Sequence, residues 1–396
     1  MKAIHPRWRD WRWQMQHRIR TVEELERFVR LSEDERAALD RCRPYFRWAI
    51  TPYYAALMDP EDPSCPVRRQ VVPRLAELDD PIGLDQEDPL QEVAHSPVKN
   101  LIHNYRDRVA FCVTAECALY CRYCLRKRMV GDPAFFLRRS EVEEAIAYIA
   151  AHPEIRDVLL TGGDPLSLGD EALQMLVSRL RAIPHVELIR LGTRYPVTLP
   201  YRITEELLSR LAPYHPIWVN THFNCAREIT PDAAEAVDRL LRYGFPVGNQ
   251  TVLLRGINDT PEAMRALLEG LVRIRVRPYY LYQAQLIGGT AHFRTSIERG
   301  LWIMRQLQGR TTGFALPRYV LDTPFGKVPL TRDYILGRAG DYVVVESYDG
   351  RIWMEYNPLP EEDRDLPVKL PEIEADPSWP AYVRPAGTQP ASPSSV

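Results

Sequence analysis

Short apolar runs rich in β-branched residues alternate with amphipathic stretches through the middle of the chain. The runs are apolar at nearly every position, which is typical of strands that are covered on both faces of a parallel sheet. The stretches between them have helical periodicity, so the order predicts parallel strands joined by helical crossovers. The predicted strands are 108–114, 157–161, 187–192, 217–221, 247–254 and 278–283, and the predicted helices are 140–151, 171–183, 231–243, 261–274 and 296–308.

Six strand–helix units are too few to close an eight-stranded barrel, so the pattern favours an α/β fold of the partial (β/α)6 barrel type. A doubly wound open sheet is the alternative, because periodicity alone does not distinguish the two folds.

The two ends of the chain have different patterns. A capping box, Thr21 with Glu24, predicts a helix start in a helical N-terminal region, and the Pro- and Asp-rich stretch 59–97 predicts irregular structure that wraps a larger body. Near the other end, 342–346 predicts a strand, and Tyr348 to Arg351 predict a hairpin turn. We therefore divide the chain into a helical region 1–100 with a possible role in oligomerisation, a barrel 101–310, a small mixed region 311–375 and a disordered tail 376–396.

Composition narrows the class of protein. The 396 residues are 45% hydrophobic and 26% charged, with a formal net charge of −2. These values indicate a globular protein without the positive charge that binds nucleic acid or an anionic membrane. Neither a bilayer-spanning run nor a signal peptide is evident, so we expect a cytoplasmic protein.

Three of the seven cysteines, Cys117, Cys121 and Cys124, form a C-x3-C-x2-C motif directly after the first predicted strand. Thiolates are the usual ligands of iron–sulfur clusters, and three of them leave one iron of a [4Fe–4S] cluster open to a small molecule. A zinc knuckle is the alternative, but structural zinc takes four ligands and no second Cys or His pair follows. The motif therefore favours a cluster over zinc, and a metal-binding protein without catalysis is the rival from another class.

With the aromatic Tyr123 before its last cysteine, this motif resembles the signature of the radical S-adenosylmethionine superfamily. Nearly the whole chain resembles lysine 2,3-aminomutase and its relatives, which include glutamate 2,3-aminomutase. The resemblance implies a radical-SAM barrel and an isomerase that moves an amino group between adjacent carbons of an amino acid. It also implies three cofactors: a [4Fe–4S] cluster, S-adenosylmethionine and pyridoxal 5′-phosphate. The matching stretches are 11–25, 46–54, 159–166, 219–224, 248–259 and 292–295.

The resemblance assigns five residues to S-adenosylmethionine. A Gly-Gly-Asp turn follows the second predicted strand and is similar to the motif that receives the methionine amino group. Two further positions are similar to residues near the ribose hydroxyls. Without the cysteine motif, a Gly-Gly pair is an ordinary turn and a histidine on a strand is usually a core residue. The five residues are Gly162, Gly163, Asp164, His222 and Gln250.

Lys327 follows a predicted strand and a Pro/Gly turn. An unprotonated lysine amine can form an imine with an aldehyde, and the resemblance makes Lys327 the catalytic lysine that carries pyridoxal phosphate. An isolated lysine would more often be a solvated surface residue. Arg108 is similar to an arginine near the cofactor phosphate. Two departures from the family pattern are Asn104, where relatives have an arginine, and a glycine run before Lys327 that is two residues shorter.

Three positions are similar to substrate-binding residues. Arg126 resembles the arginine that grips the substrate carboxylate, although it could be part of a solvated basic run. Gln285 and Asp322 stand where lysine enzymes have two aspartates and glutamate enzymes have a lysine and an asparagine. The remaining carboxylate favours lysine, and replacing one charged partner by an amide weakens lysine binding by about 1.5–3 kcal/mol.

The resemblance also implies partners. We expect an amino acid substrate, a flavodoxin or ferredoxin as electron donor, and a homodimer or homotetramer. No zinc site is expected at the C-terminus, because no cysteine follows Cys225. A rival within enzymes is a helper that rearranges lysine for modification of a translation factor, but such relatives are shorter at the N-terminus.

Overall fold

The computed structural model describes residues 5–79 and 86–381. In this part of the chain, nine strands form one sheet in the order β1 to β9, and three form a second sheet. The strands are β1 Leu101–Tyr105, β2 Arg108–Thr114, β3 Asp157–Gly162, β4 Leu188–Gly192, β5 Ile217–Thr221, β6 Val247–Leu253, β7 Arg277–Gln283, β8 Arg318–Thr323, β9 Gly326–Pro329, β10 Ile335–Ala339, β11 Tyr342–Glu346 and β12 Ile352–Tyr356.

The large sheet curls into a nearly closed barrel. Strands β2 to β8 are parallel, while β1 and β9 run antiparallel at its two edges. The edges meet, since the backbone N–H of Lys327 on β9 donates to the hydroxyl of Tyr105 on β1 over 2.6 Å. The barrel prediction is confirmed and the open sheet is not found. Strand β8 adds a seventh parallel strand to the six that the sequence predicts.

Helices cover the outside of the barrel. Each of the five predicted helices is present within two residues of its predicted ends, and Glu205–Leu211 is one that the sequence analysis did not predict. In Pro231–Arg242 the buried residues recur at helical spacing, which places one apolar face on the sheet. The α-helices are α1 Trp11–Gln16, α2 Val22–Leu25, α3 Glu33–Arg41, α4 Pro52–Ala55, α5 Pro66–Arg69, α6 Arg139–Ala151, α7 Asp170–Arg181, α8 Tyr195–Thr198, α9 Glu205–Leu211, α10 Pro231–Arg242, α11 Pro261–Arg273 and α12 Ile297–Leu307.

The N-terminal region packs on the loop that carries the cysteine motif. The predicted capping box of Thr21 and Glu24 is present, but it opens a helix of only four residues. Arg18 reaches the cysteine loop, where its Nη1 donates to the carbonyl oxygen of Cys117 over 2.6 Å. Residues ahead of the barrel thus hold the segment that we expect to carry the cluster.

The small sheet lies near the C-terminal end, where β11 and β12 form the predicted hairpin. Most of the tail for which we predicted disorder lies outside the described residues. Of its described part, Ala381 pairs with Met354 in an isolated bridge. Within residues 5–79 and 86–381, no helix has the length and apolar character needed to cross a bilayer. The domain boundaries drawn from the sequence stay a prediction.

Candidate active site

One cavity of about 490 Å³ lies inside the barrel. Its lining includes Arg108 from β2 and Lys327 from β9, so the curl of the sheet brings residues near its two edges to one space. All the site residues predicted from the sequence line this cavity: Cys117, Cys121, Cys124, Gly162, Gly163, Asp164, His222, Gln250, Arg108, Lys327, Arg126, Gln285 and Asp322.

The three thiols lie on the loop after β2, at the carboxyl end of the parallel strands. The Sγ atom of Cys121 accepts a hydrogen bond of 2.8 Å from Nη1 of Arg194. Among the described residues, no three His, Cys, Asp or Glu side chains gather closely enough to hold a single metal ion. A cluster makes no such demand, because each thiolate binds a different iron.

The Gly-Gly turn is required by the cysteine loop itself. A Cβ atom on Gly162, whose φ is +115°, would lie 2.4 Å from the carbonyl oxygen of Thr114. A Cβ atom on Gly163 would lie 2.4 Å from the carbonyl oxygen of Glu116. Only glycine allows the end of β3 to pack this closely against the loop. The glycines that resemble a cofactor-binding motif in the sequence therefore also seat the cysteine loop in the structure.

Asp164 joins the ends of β3 and β4. Its carboxylate accepts hydrogen bonds from the Thr193 hydroxyl and the Arg194 backbone N–H, both over 2.7 Å, and from the Leu166 backbone N–H over 3.0 Å. Burial raises the pKa of Asp164 to about 7, against the lowering effect of these donors. All three of these donors belong to the protein, so Asp164 orients the loop that faces the cavity while still lining it.

His222 offers an unsatisfied polar atom to the cavity. Its ring stacks on Tyr123 with 5.6 Å between centroids, and its Nε2 atom is buried without a hydrogen-bond partner. Burial, with the neighbouring Arg194 charge, lowers the pKa of His222 to about 3, so the ring is neutral. A neutral imidazole can exchange a hydrogen bond with a ligand hydroxyl. Gln250 lines the same cavity from β6.

Lys327 forms an ion pair inside the cavity. Its Nζ lies 3.0 Å from Oδ1 of Asp322, and a third of the side chain is exposed. Burial has the largest single effect and by itself lowers the pKa of the Lys327 ammonium. The Asp322 carboxylate, together with Tyr282 and Tyr105, outweighs burial and holds the pKa above the ordinary value. Before the amine can attack a carbonyl it must lose a proton, and Asp322 is the carboxylate within reach of that proton.

Arg108 lies over the ring of Tyr105, with 3.9 Å from its guanidinium carbon to the ring centroid. Asn104, at the position where relatives have an arginine, also lines the cavity. Arg190 on β4 also lines the cavity, and its Nε donates to Asp157 over 2.8 Å. The charge of Arg190 is thus paired with Asp157, and Asn104 brings no charge to the cavity.

Arg126 is held from one side by a carboxylate that the sequence analysis missed. Its Nε and Nη2 donate to the two oxygens of Glu92 over 3.1 and 2.7 Å. Its Nη1 faces the Thr161 hydroxyl at 3.3 Å. Because Glu92 occupies the side of the guanidinium, the end that carries Nη1 and Nη2 is the edge available to a substrate carboxylate.

Gln285 presents an acceptor. Its Nε2 donates to the backbone carbonyl oxygen of Asp322 over 2.8 Å, and its Oε1 is buried without a partner. Because the backbone carbonyl oxygen of Asp322 can only accept, it fixes which side of the Gln285 amide faces it. The Oε1 atom of Gln285 is therefore an acceptor in the cavity wall that can still take a hydrogen bond.

Comparisons with known proteins decide the family. The Radical SAM superfamily model matches residues 111–268, and the Lysine-2,3-aminomutase model matches residues 304–369. The chain is 45% identical to L-lysine 2,3-aminomutase of Clostridium subterminale over 89% of its own length and 85% of that protein. The chain belongs to the lysine 2,3-aminomutase family.

Other members of the family show how little overall identity says about the substrate. The L-lysine 2,3-aminomutase of Bacillus subtilis is 46% identical over 87% of this chain and 74% of its own length. The glutamate 2,3-aminomutase of Clostridioides difficile is 42% identical over 87% of this chain and 82% of its own length. The substrate must therefore be inferred from the cavity.

The family's cofactors fit the residues present. The family is one of isomerases that use a [4Fe–4S] cluster, S-adenosylmethionine and pyridoxal phosphate. Three thiols on one loop suit the cluster, the orphaned His222 Nε2 suits a polar ligand beside it, and the cavity-lining Lys327 suits an aldehyde.

Proposed function

We propose that this chain is a radical S-adenosylmethionine, pyridoxal-phosphate-dependent 2,3-aminomutase that converts an L-α-amino acid, with L-lysine favoured, to its β-isomer. One observation carries the proposal: in a member of this family, the cysteine triad and Lys327 line the same cavity.

Each cofactor would be held by its own set of residues. Cys117, Cys121 and Cys124 would hold the cluster. S-adenosylmethionine would contact Gly162, Gly163, Asp164, His222 and Gln250, and pyridoxal phosphate would be held by Lys327 and Arg108. When bound, the cluster supplies an electron that generates a radical from S-adenosylmethionine, and pyridoxal phosphate supplies a carbonyl that holds the migrating nitrogen.

The protein's own groups orient the substrate and handle one proton. Arg126 would hold the α-carboxylate by the end of its guanidinium that carries Nη1 and Nη2, while Glu92 fixes the other side. Asp322 Oδ1 accepts the proton that Lys327 Nζ must release before it reacts. The barrel wall keeps water away from the reacting carbons, which protects radical chemistry from side reactions.

Two acceptors face the far end of the substrate. Gln285 offers the unpartnered Oε1, and the Asp322 carboxylate would be free of its ion pair once the proton taken from Lys327 has left the site. Both favour a hydrogen-bond donor such as the side-chain ammonium of lysine. The second carboxylate of glutamate would meet only acceptors here, so lysine is favoured over glutamate.

The proposed function also implies the partners of the protein. The substrate is a free amino acid, and we propose an external one-electron donor such as flavodoxin or ferredoxin. We also propose a cytoplasmic homodimer or homotetramer that binds neither nucleic acid nor membrane. Size-exclusion chromatography with light scattering would measure the oligomeric state.

A substrate panel tests the function. The reconstituted, reduced protein with S-adenosylmethionine should convert L-lysine to β-lysine faster than it converts L-glutamate or L-glutamine. Q285D should raise kcat/KM for lysine about tenfold or more, because it restores a charged partner worth about 1.5–3 kcal/mol. The matched variant Q285L, which removes the acceptor, should lower kcat/KM. Faster turnover of glutamate would contradict the lysine assignment, and no β-isomer from any amino acid would contradict the aminomutase assignment.

A further inference from the structure

A buried arginine in the cavity wall contacts the cysteine triad. Arg194 lies two residues beyond the end of β4, with its side chain 10% exposed. Its Nη1 donates to Sγ of Cys121 over 2.8 Å, and its Nε donates to the carbonyl oxygen of His222 over 3.1 Å. Neither the motif nor the resemblance assigned Arg194 a role.

The third guanidinium nitrogen of Arg194, Nη2, contacts three residues from different parts of the chain. Nη2 of Arg194 donates to Oε1 of Gln70 over 2.6 Å and to Oε1 of Glu228 over 2.7 Å, and lies 3.3 Å from the Tyr54 hydroxyl. Glu228 is fully buried and also accepts from the Tyr54 hydroxyl over 2.6 Å. All three guanidinium nitrogens are therefore occupied, and the direction of Nη1 toward the sulfur is fixed.

We propose that Arg194 is a positioning residue that sets the reduction potential of the cluster through Cys121. Reduction adds one negative charge to the cluster. A fixed cation that donates to a ligand sulfur stabilises the reduced form more than the oxidised form, so it raises the potential. Glu228 opposes this effect, because its carboxylate lies on the same guanidinium and partly balances the charge.

This role of Arg194 requires the cluster but not the aminomutase reaction. Its test is therefore a redox titration of the anaerobically reconstituted full-length protein, without S-adenosylmethionine or substrate, followed by electron paramagnetic resonance of the reduced cluster. R194Q should shift the one-electron equilibrium about tenfold toward the oxidised form, which is ~59 mV to lower potential. The matched variant E228Q keeps the Arg194 contact and should shift the potential in the opposite direction.

A double variant controls for the unpaired charge that R194Q leaves on Glu228. R194Q leaves that carboxylate buried without its cation, whereas R194Q/E228Q removes both charges. The double variant should still have a lower potential than E228Q, since the pair differs only at Arg194. Equal potentials in that pair, with complete iron and sulfide in both, would overturn the proposal. Loss of iron from both Arg194 variants would also overturn it, because Arg194 would then support the cluster site rather than set its potential.

Discussion

The cavity has two sides that are built differently. On the cysteine side, the loop is held by Arg18, packs on Gly163 and contacts Arg194, each of whose three guanidinium nitrogens has a partner inside the protein. On the lysine side, the ammonium of the partly exposed Lys327 pairs with Asp322 and lies 5.6 Å from the ring centroid of Tyr282. The cysteine loop is thus held by protein contacts alone. On the lysine side, the charges of Lys327 and Asp322 neutralise each other in the protein without cofactors.

The most severe way to break the cysteine side is to remove one thiol. C121A should abolish activity and cluster binding, because two thiolates cannot hold a cube with one open iron. Iron and sulfide analysis, with the brown absorbance of the anaerobic protein, measures the loss. C112A is the matched control, since Cys112 is fully buried in β2 outside the motif. A C121A protein with full iron, or a C112A protein without it, would contradict the assignment.

The corresponding change on the lysine side is K327A. It should abolish turnover and covalent attachment of pyridoxal phosphate, while iron and sulfide stay at the wild-type level because the cysteine side does not depend on Lys327. Borohydride reduction followed by peptide mass spectrometry reports the attachment. K99A is the control, since Lys99 pairs with Glu141 and does not line the cavity. Retained turnover in K327A would show that another amine carries the cofactor.

The sequence predicted the cysteine motif better than the residues that surround it and Arg126. The cysteine motif is contiguous, so its chemistry and its place after a strand could be predicted from local pattern. The groups that surround it could not, because Gln70 and Arg194 meet across 124 positions of sequence. Glu92 lies in the stretch 59–97, for which the sequence predicts only irregular structure. No local pattern indicates that it pairs with Arg126.

The fold shows the same division. Alternating strands and helices predicted the barrel, because that pattern is local and repeated. The closure between β1 and β9 involves contacts between residues far apart in the sequence, such as Tyr105 and Lys327. Short antiparallel edge strands also carry no distinctive periodicity. Helix α9 was missed because its seven residues are too few for a clear helical period.

The smallest predicted effect concerns that closure, which also supports the lysine side. Y105F removes the acceptor of the Lys327 backbone N–H, a hydrogen bond worth about 1 kcal/mol. Amide exchange in a peptide that spans 324–330 should therefore become about fivefold faster in the cofactor-free protein, as measured by hydrogen–deuterium exchange and mass spectrometry. Y348F is the matched control, because Tyr348 stacks on Tyr105 but is largely exposed. Unchanged exchange in Y105F would mean that the sheet edges are held by other contacts, and the lysine side would then be as firmly built as the cysteine side.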